Sequence, residues 1–161
     1  MGQVLINLAS VAMELDPDGI DVRFVESIHC EVDDVKTWRE VADSFCSVQP
    51  CERRLVLGDR VGKILGPYIK AQFEIEETYK HKGPSKFKTR LNLIVLTDGQ
   101  LDDGDDLDQV IIDCVKQLDD LRAPSGSIGV QFVLFGRRDS PRSSLFEFLD
   151  DEVASEIGSR R

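Results

Sequence analysis

The sequence predicts an α/β fold with buried parallel strands, and three observations carry that expectation. Apolar residues recur at helical spacing in several separate segments. Between them stand short, nearly continuous apolar runs bounded by glycine, proline and acidic residues. The clearest run, Leu91-Asn-Leu-Ile-Val-Leu-Thr97, continues directly into Asp98-Gly99. A strand that is apolar on both faces is one covered on both faces, as in parallel sheets, and a carboxylate at its end lies where α/β sheets bind ligands.

The elements follow in order. Val4, Leu5, Leu8, Val11, Ala12 and Leu15 give a first helix over 3–15, which Asp16-Pro-Asp-Gly19 stops because proline cannot continue a helix and glycine suits the turn. Residues 20–26 read as a short strand with Val22 and Phe24 on one face, and 27–34 as an acidic loop. Val35, Trp38, Val41, Ala42 and Phe45 form the stripe of a second helix, with Trp38 expected as a core anchor. Residues 58–77 keep helical spacing through Val61, Ile64, Leu65, Tyr68, Ile69 and Phe73, although Gly66-Pro67 is expected to kink or split that helix. Lys80, Lys82, Lys86, Lys88 and Arg90 surround Gly83-Pro84 in an expected basic loop over 80–90. A strand over 91–97 follows. Leu107, Val110, Ile111, Cys114, Val115 and Leu118 then give a helix over 106–120, ended by Ala123-Pro-Ser-Gly126. A strand over 128–135 and a last helix over 144–157 complete the reading.

At 161 residues and 41% hydrophobic, the chain has enough apolar material for one domain and too little for two, so the expected organisation is a single domain over 1–157 and a tail over 158–161. Thirty acidic against 20 basic residues give a formal charge of −10. That charge repels phosphate backbones and anionic membrane surfaces, which argues against nucleic-acid and membrane partners. The start, Met1-Gly-Gln-Val-Leu-Ile, has neither the basic region nor the cleavage site of a signal peptide, so a cytoplasmic location is expected. Cys30, Cys46, Cys51 and Cys114 lack C-x-x-C spacing and lie in or beside apolar sequence, which favours buried thiols over a zinc site or disulfides. His29 beside Cys30 is the one thiol–imidazole neighbour pair, and adjacent strand residues point to opposite faces, so Cys30 is expected to be structural. No P-loop and no G-x-G-x-x-G after a strand is present, which removes nucleotide enzymology.

Several motifs in order resemble the von Willebrand factor A family in its intracellular, fungal type: Asp16-Pro-Asp-Gly-Ile-Asp-Val-Arg-Phe24, Arg60-Val-Gly-Lys-Ile-Leu-Gly-Pro-Tyr-Ile69, Thr97-Asp-Gly99 and Gly129-Val-Gln-Phe132. The resemblance implies a Rossmann-like, mostly parallel sheet flanked by helices. It also implies that Asp98 occupies a position of a metal-ion-dependent adhesion site. The family's opening strand with D-x-S-x-S has no counterpart here, so the sheet is expected to be incomplete at its N-terminal central strand. Leu55 stands where the family carries a threonine ligand. With Asp98 as the one inherited ligand, the site is expected to be degenerate, with no cofactor held autonomously and Mg²⁺ the ion that a partner's oxygens would have to help bind.

The segment Asp102-Asp-Gly-Asp-Asp-Leu-Asp108 concentrates carboxylates but misses a calcium-loop register: counted from Asp98, the sixth position is Asp103 rather than glycine and the twelfth is Gln109 rather than glutamate. Asp105, Asp106 and Asp108 are expected at the first turn of the 106–120 helix, where acids offset exposed N–H groups and the helix dipole. The function the resemblance implies is a protein-interaction module without a catalytic step, binding a basic partner surface through Asp98, Asp102, Asp103, Asp105 and Asp106. The alternative from another class is a metal-dependent hydrolase or phosphate-handling enzyme using Asp98 and the acids of 102–108.

Overall fold

The structure, a computed structural model, describes residues 2–16, 18–49, 56–82, 90–99, 106–124 and 126–135, with the backbone alone for 2–3 and 74–82. The chain forms two compact units, Met1–Leu55 and Val56–Arg161. Among the described residues the architecture is mixed α/β, with four α-helices and two small sheets, one of them parallel. The last expected helix, 144–157, and the tail lie outside the described residues.

In the first unit, helix α1 (Gly2–Leu15) precedes strand β1 (Ile20–Val22), a 3₁₀ turn at Ile28–Cys30, strand β2 (Val32–Val35) and helix α2 (Trp38–Ser47). Ala9, Val35 and Val41 form the core, with Leu5, Met13, Ile20, Val22 and Val32 packed against it. The expected acidic loop over 27–34 is therefore corrected: its last three residues, Val32, Asp33 and Asp34, belong to strand β2, antiparallel to β1. Its pairing steps from Ile20↔Val35 to Val22↔Val32, so β2 carries one extra residue opposite Asp21. That is a β-bulge, and Asp34 adopts φ +53° within it. The bulge breaks the alternation by which a strand is recognised, and the Asp33-Asp34 pair disguises it further. The strand expected over 20–26 ends at Val22, where the Arg23 guanidinium takes up the Val22 and Val32 carbonyls at 3.3 and 3.2 Å.

Helix α2 starts at Trp38 rather than at Val35, because Lys36 and Thr37 are used to start it. Thr37 and Glu40 form a capping box: the Thr37 hydroxyl accepts from the Glu40 N–H at 3.4 Å, and the Glu40 carboxylate accepts from the Thr37 N–H at 2.9 Å. Val41 and Ser44 are the buried face, and the Ser44 hydroxyl donates to the Cys30 carbonyl at 2.7 Å, tying the helix to the 3₁₀ turn. Trp38, expected as a core anchor, is 42% exposed. Its position at the first turn places it on the flank of the face that Val41 and Ser44 bury.

The second unit contains helix α3 (Leu57–Lys82), strand β3 (Leu91–Thr97), helix α4 (Leu107–Asp120) and strand β4 (Ile128–Leu134). Helix α3 packs on α4. Leu57, Val61 and Leu65 on α3 are buried at i, i+4, i+8, and Leu107, Ile111 and Cys114 on α4 at i, i+4, i+7, which is the spacing of one helix face. Gly62 sits beside Val110, where an added Cβ would reach ordinary contact at 3.5 Å. Gly66-Pro67 does not split α3, and the basic segment expected to be loop from residue 80 is helical as far as Lys82. Both Gly66 and Pro67 are exposed, so the Lys63 carbonyl that loses its N–H partner to Pro67 faces water. Lys63 is itself bridged to Asp59 at 2.6 Å along the same exposed face.

Strands β3 and β4 pair in parallel over their full length, from Leu91↔Ile128 to Thr97↔Leu134. No helix among the described residues is long and apolar enough to cross a membrane. Cys30 and Cys114 are buried, as expected, and burial pushes the Cys114 thiol up from its ordinary pKa. Cys46 is exposed, against expectation, because the face of α2 that meets the core runs through Val41 and Ser44. Cys51 lies outside the described residues. His29 is exposed and Cys30 buried within the 3₁₀ turn, so the neighbouring pair faces different surroundings.

Candidate functional site at the carboxyl edge of the parallel pair

The parallel ladder continues one residue past the end of β4: the Phe135 N–H donates to the Thr97 carbonyl at 2.8 Å. The chain then turns. The Thr97 hydroxyl accepts from the Gly99 N–H at 3.1 Å, and Gly99 takes φ +78°, a conformation that glycine adopts without the steric cost of a Cβ. Gly99 is buried and Asp98 is exposed. Thr97-Asp98-Gly99 thus works as a local device in which the threonine hydroxyl and the glycine fix the turn, and the carboxylate between them is presented outward at the carboxyl end of a parallel strand.

Asp106 is the N-cap residue of α4 and is exposed, with φ −105° and ψ +27°. Its side chain makes no capping hydrogen bond, which corrects the expectation that it satisfies first-turn N–H groups directly. Asp108 lies in the first turn. Both acids therefore act on the helix end through charge, near the positive end of the dipole. Of the other expected partner-binding positions, Asp102, Asp103 and Asp105 lie outside the described residues, as does Leu55. The structure thus places Asp98 at the end of β3 and Asp106 at the start of α4, both facing solvent.

As a metal site these residues fit poorly. Mg²⁺ and Ca²⁺ need several oxygen donors converging on one point. Among the described residues there is no group of three or more His, Cys, Asp or Glu side chains placed to hold an ion.

A second concentration of charge, not anticipated from the sequence, lies in the first unit. The Arg23 guanidinium meets Asp33, Asp21 at 3.2 Å and Glu31 at 3.8 Å. Partial burial acts to lower the Arg23 pKa, but the hydrogen bond to Asp33 and the three neighbouring carboxylates outweigh it and hold the group above its ordinary value. The other carboxylate oxygens serve the backbone: Asp21 accepts from the Asp34 N–H at 3.0 Å and Glu31 from the Phe24 N–H at 3.5 Å. The cluster is a clasp for the bulged hairpin. Its signal in sequence, acids at 21, 31 and 33 around one arginine, becomes readable once β2 is known to lie beside β1. Comparison with known proteins finds no match for this chain among family models, curated proteins or solved structures.

Proposed function

We propose that this chain is a protein-interaction module of the von Willebrand factor A type that docks a basic partner surface at the carboxyl edge of the β3–β4 pair, in the cytoplasm and without a catalytic step. The observation that carries the reading is the outward presentation of Asp98 by the Thr97-Gly99 turn at the end of a parallel strand. Asp106 at the start of α4 adds a second exposed acid of the same unit, and Asp102, Asp103 and Asp105 lie between them in the sequence. The Rossmann-like arrangement of the whole domain belongs to this proposal and rests on the ordered motifs.

Such an edge attracts a cationic surface by charge. Exposed carboxylates keep their water until contact, so each close pair contributes about 0.2–1 kcal/mol and several are needed for a specific complex. No bound ion is required for that attraction, and the described donor set does not offer one a site. The hydrolase alternative needs Asp98 and acids of 102–108 to converge on one ion, and Asp102, Asp103 and Asp105 lie outside the described residues. Partner capture at increasing ionic strength tests the proposal: basic proteins held at low salt are released as salt rises. Capture that is unaffected by salt, or that favours acidic proteins through the second unit, overturns it.

A further inference from the structure

The first unit carries an open groove of about 420 Å³ between α1 and the start of α2, whose walls include Ser10, Met13, Glu14, Lys36, Trp38 and Arg39. Its composition departs from that of the chain. In a protein with ten more acids than bases, two exposed cations, Lys36 and Arg39, flank the one tryptophan, and among the described residues neither makes an ion pair. The Arg39 guanidinium lies 5.3 Å from the centre of the Trp38 ring, so it is held over the aromatic face with its N–H groups open to solvent. Trp38 stays 42% exposed beside Met13, an apolar floor of two large adaptable side chains.

At the start of α2 the Thr37–Glu40 box engages the Glu40, Thr37 and Lys36 N–H groups, so the preference argued here rests on the side chains. The Glu40 carboxylate accepts from the Lys36 and Thr37 N–H groups and from the Thr37 hydroxyl, and these bonds, the Thr37 hydroxyl first, hold its pKa below the ordinary glutamate value. Glu40 is therefore committed to its own helix end, and the basic side chains are free to recognise something else. Among the described residues, Glu14 on the α1 wall is the carboxylate that lines the groove.

We propose that this groove docks a short acidic peptide segment of a partner protein. The segment places an apolar side chain on Trp38 and Met13, acidic side chains against Lys36 and Arg39, and backbone N–H groups toward Glu14. The match is three-way. A purely anionic ligand would meet Glu14 unfavourably and leave the tryptophan bare, and a basic peptide would be repelled by Lys36 and Arg39. This surface is opposite in charge preference to the acidic edge of the second unit and stands independently of it.

Trp38 is the chain's single tryptophan, so its emission in the full 161-residue protein reports on the groove directly. The probe is a short synthetic peptide alternating aspartate with phenylalanine and leucine, compared with the same peptide carrying lysine for aspartate. The expected result is a saturable change of Trp38 emission with the acidic peptide alone, weakened about tenfold in Lys36→Glu/Arg39→Glu, as loss and reversal of two rim charges implies. Both residues are exposed, and Lys36→Gln/Arg39→Gln, with a smaller loss, serves as the check if charge reversal disturbs the fold. No emission change with either peptide, equal response to the lysine peptide, or unchanged affinity in both double variants overturns the proposal.

Discussion

Gly19 shows how one residue sets a local structure. It has φ +111°, and a Cβ there would stand 2.8 Å from the Asp34 carbonyl carbon and 2.9 Å from its oxygen, both backbone atoms of the β2 bulge. Neither the conformation nor the space admits a side chain. Gly19→Ala is therefore expected to destabilise the protein by about 1–3 kcal/mol, read as a fall in the urea midpoint. Thr37 acts at the same scale. Removing its hydroxyl in Thr37→Ala takes away half of the capping box and is expected to cost about 1 kcal/mol at neutral pH. The Glu40 pKa is lowered in the fold, so its contribution is present above the ordinary glutamate value and is lost as pH falls below that value and through the lowered one. The difference between wild type and Thr37→Ala should thus shrink in acid, measured by thermal unfolding at neutral pH and at low pH. A constant difference would mean that the carboxylate does not take part. For Asp98, one carboxylate gives Mg²⁺ little to hold. With free ion below its dissociation constant, stabilisation stays under about 0.4 kcal/mol, and millimolar Mg²⁺ should leave the melting curve nearly unmoved. A saturable rise of several degrees, absent from Asp98→Ala, would reveal a donor set beyond Asp98.

Among the elements, the α3–α4 seam is the best-buried packing in the second unit. Leu107 is fully buried and Leu65 is 1% exposed. Leu107→Ala removes methyl groups from the centre of that seam and should cost about 2–5 kcal/mol, with the spread set by how far the helices close over the cavity. A loss below about 1 kcal/mol would show that the seam is looser than its burial implies. The same seam explains what the sequence makes legible. Leu57, Val61, Leu65 and Leu107, Ile111, Cys114 repeat at helical intervals because one face is buried, and β3 and β4 read clearly because their apolar runs are long and uninterrupted. The β1–β2 hairpin is not legible in the same way. A three-residue strand, an antiparallel partner bearing a bulge and an Asp-Asp pair break the period-two pattern, and the hairpin is held by the Arg23 clasp and by Gly19 against Asp34. Trp38 and Phe45 match a helical stripe but lie on its exposed flank, since the start of α2 is fixed by Thr37 and not by the apolar pattern. At the candidate site, the strand end and Asp98 follow from sequence. The Thr97–Gly99 turn bond and the absence of a side-chain cap at Asp106 depend on backbone geometry that residue spacing does not encode.

At the scale of the whole molecule, a formal charge of −10 gives a field that favours cationic surfaces, and salt screens it over about 8 Å at physiological ionic strength. The two proposed surfaces use charge in opposite senses: the acidic edge of the second unit for a basic partner, and the α1–α2 groove of the first unit for an acidic segment. Replacing Asp102, Asp103, Asp105 and Asp106 by Asn tests the acidic edge as a docking surface. The substitutions keep shape, remove four charges and forfeit about 0.3–1 kcal/mol for each acid well placed at the α4 terminus. In a side-by-side capture from cell extract, with circular dichroism showing that both proteins are folded, the quadruple variant should lose the principal basic partners that the wild-type chain retains at low salt. Retention of every one of those partners by a folded variant would contradict the claim and move the docking surface away from the carboxyl edge of the β3–β4 pair.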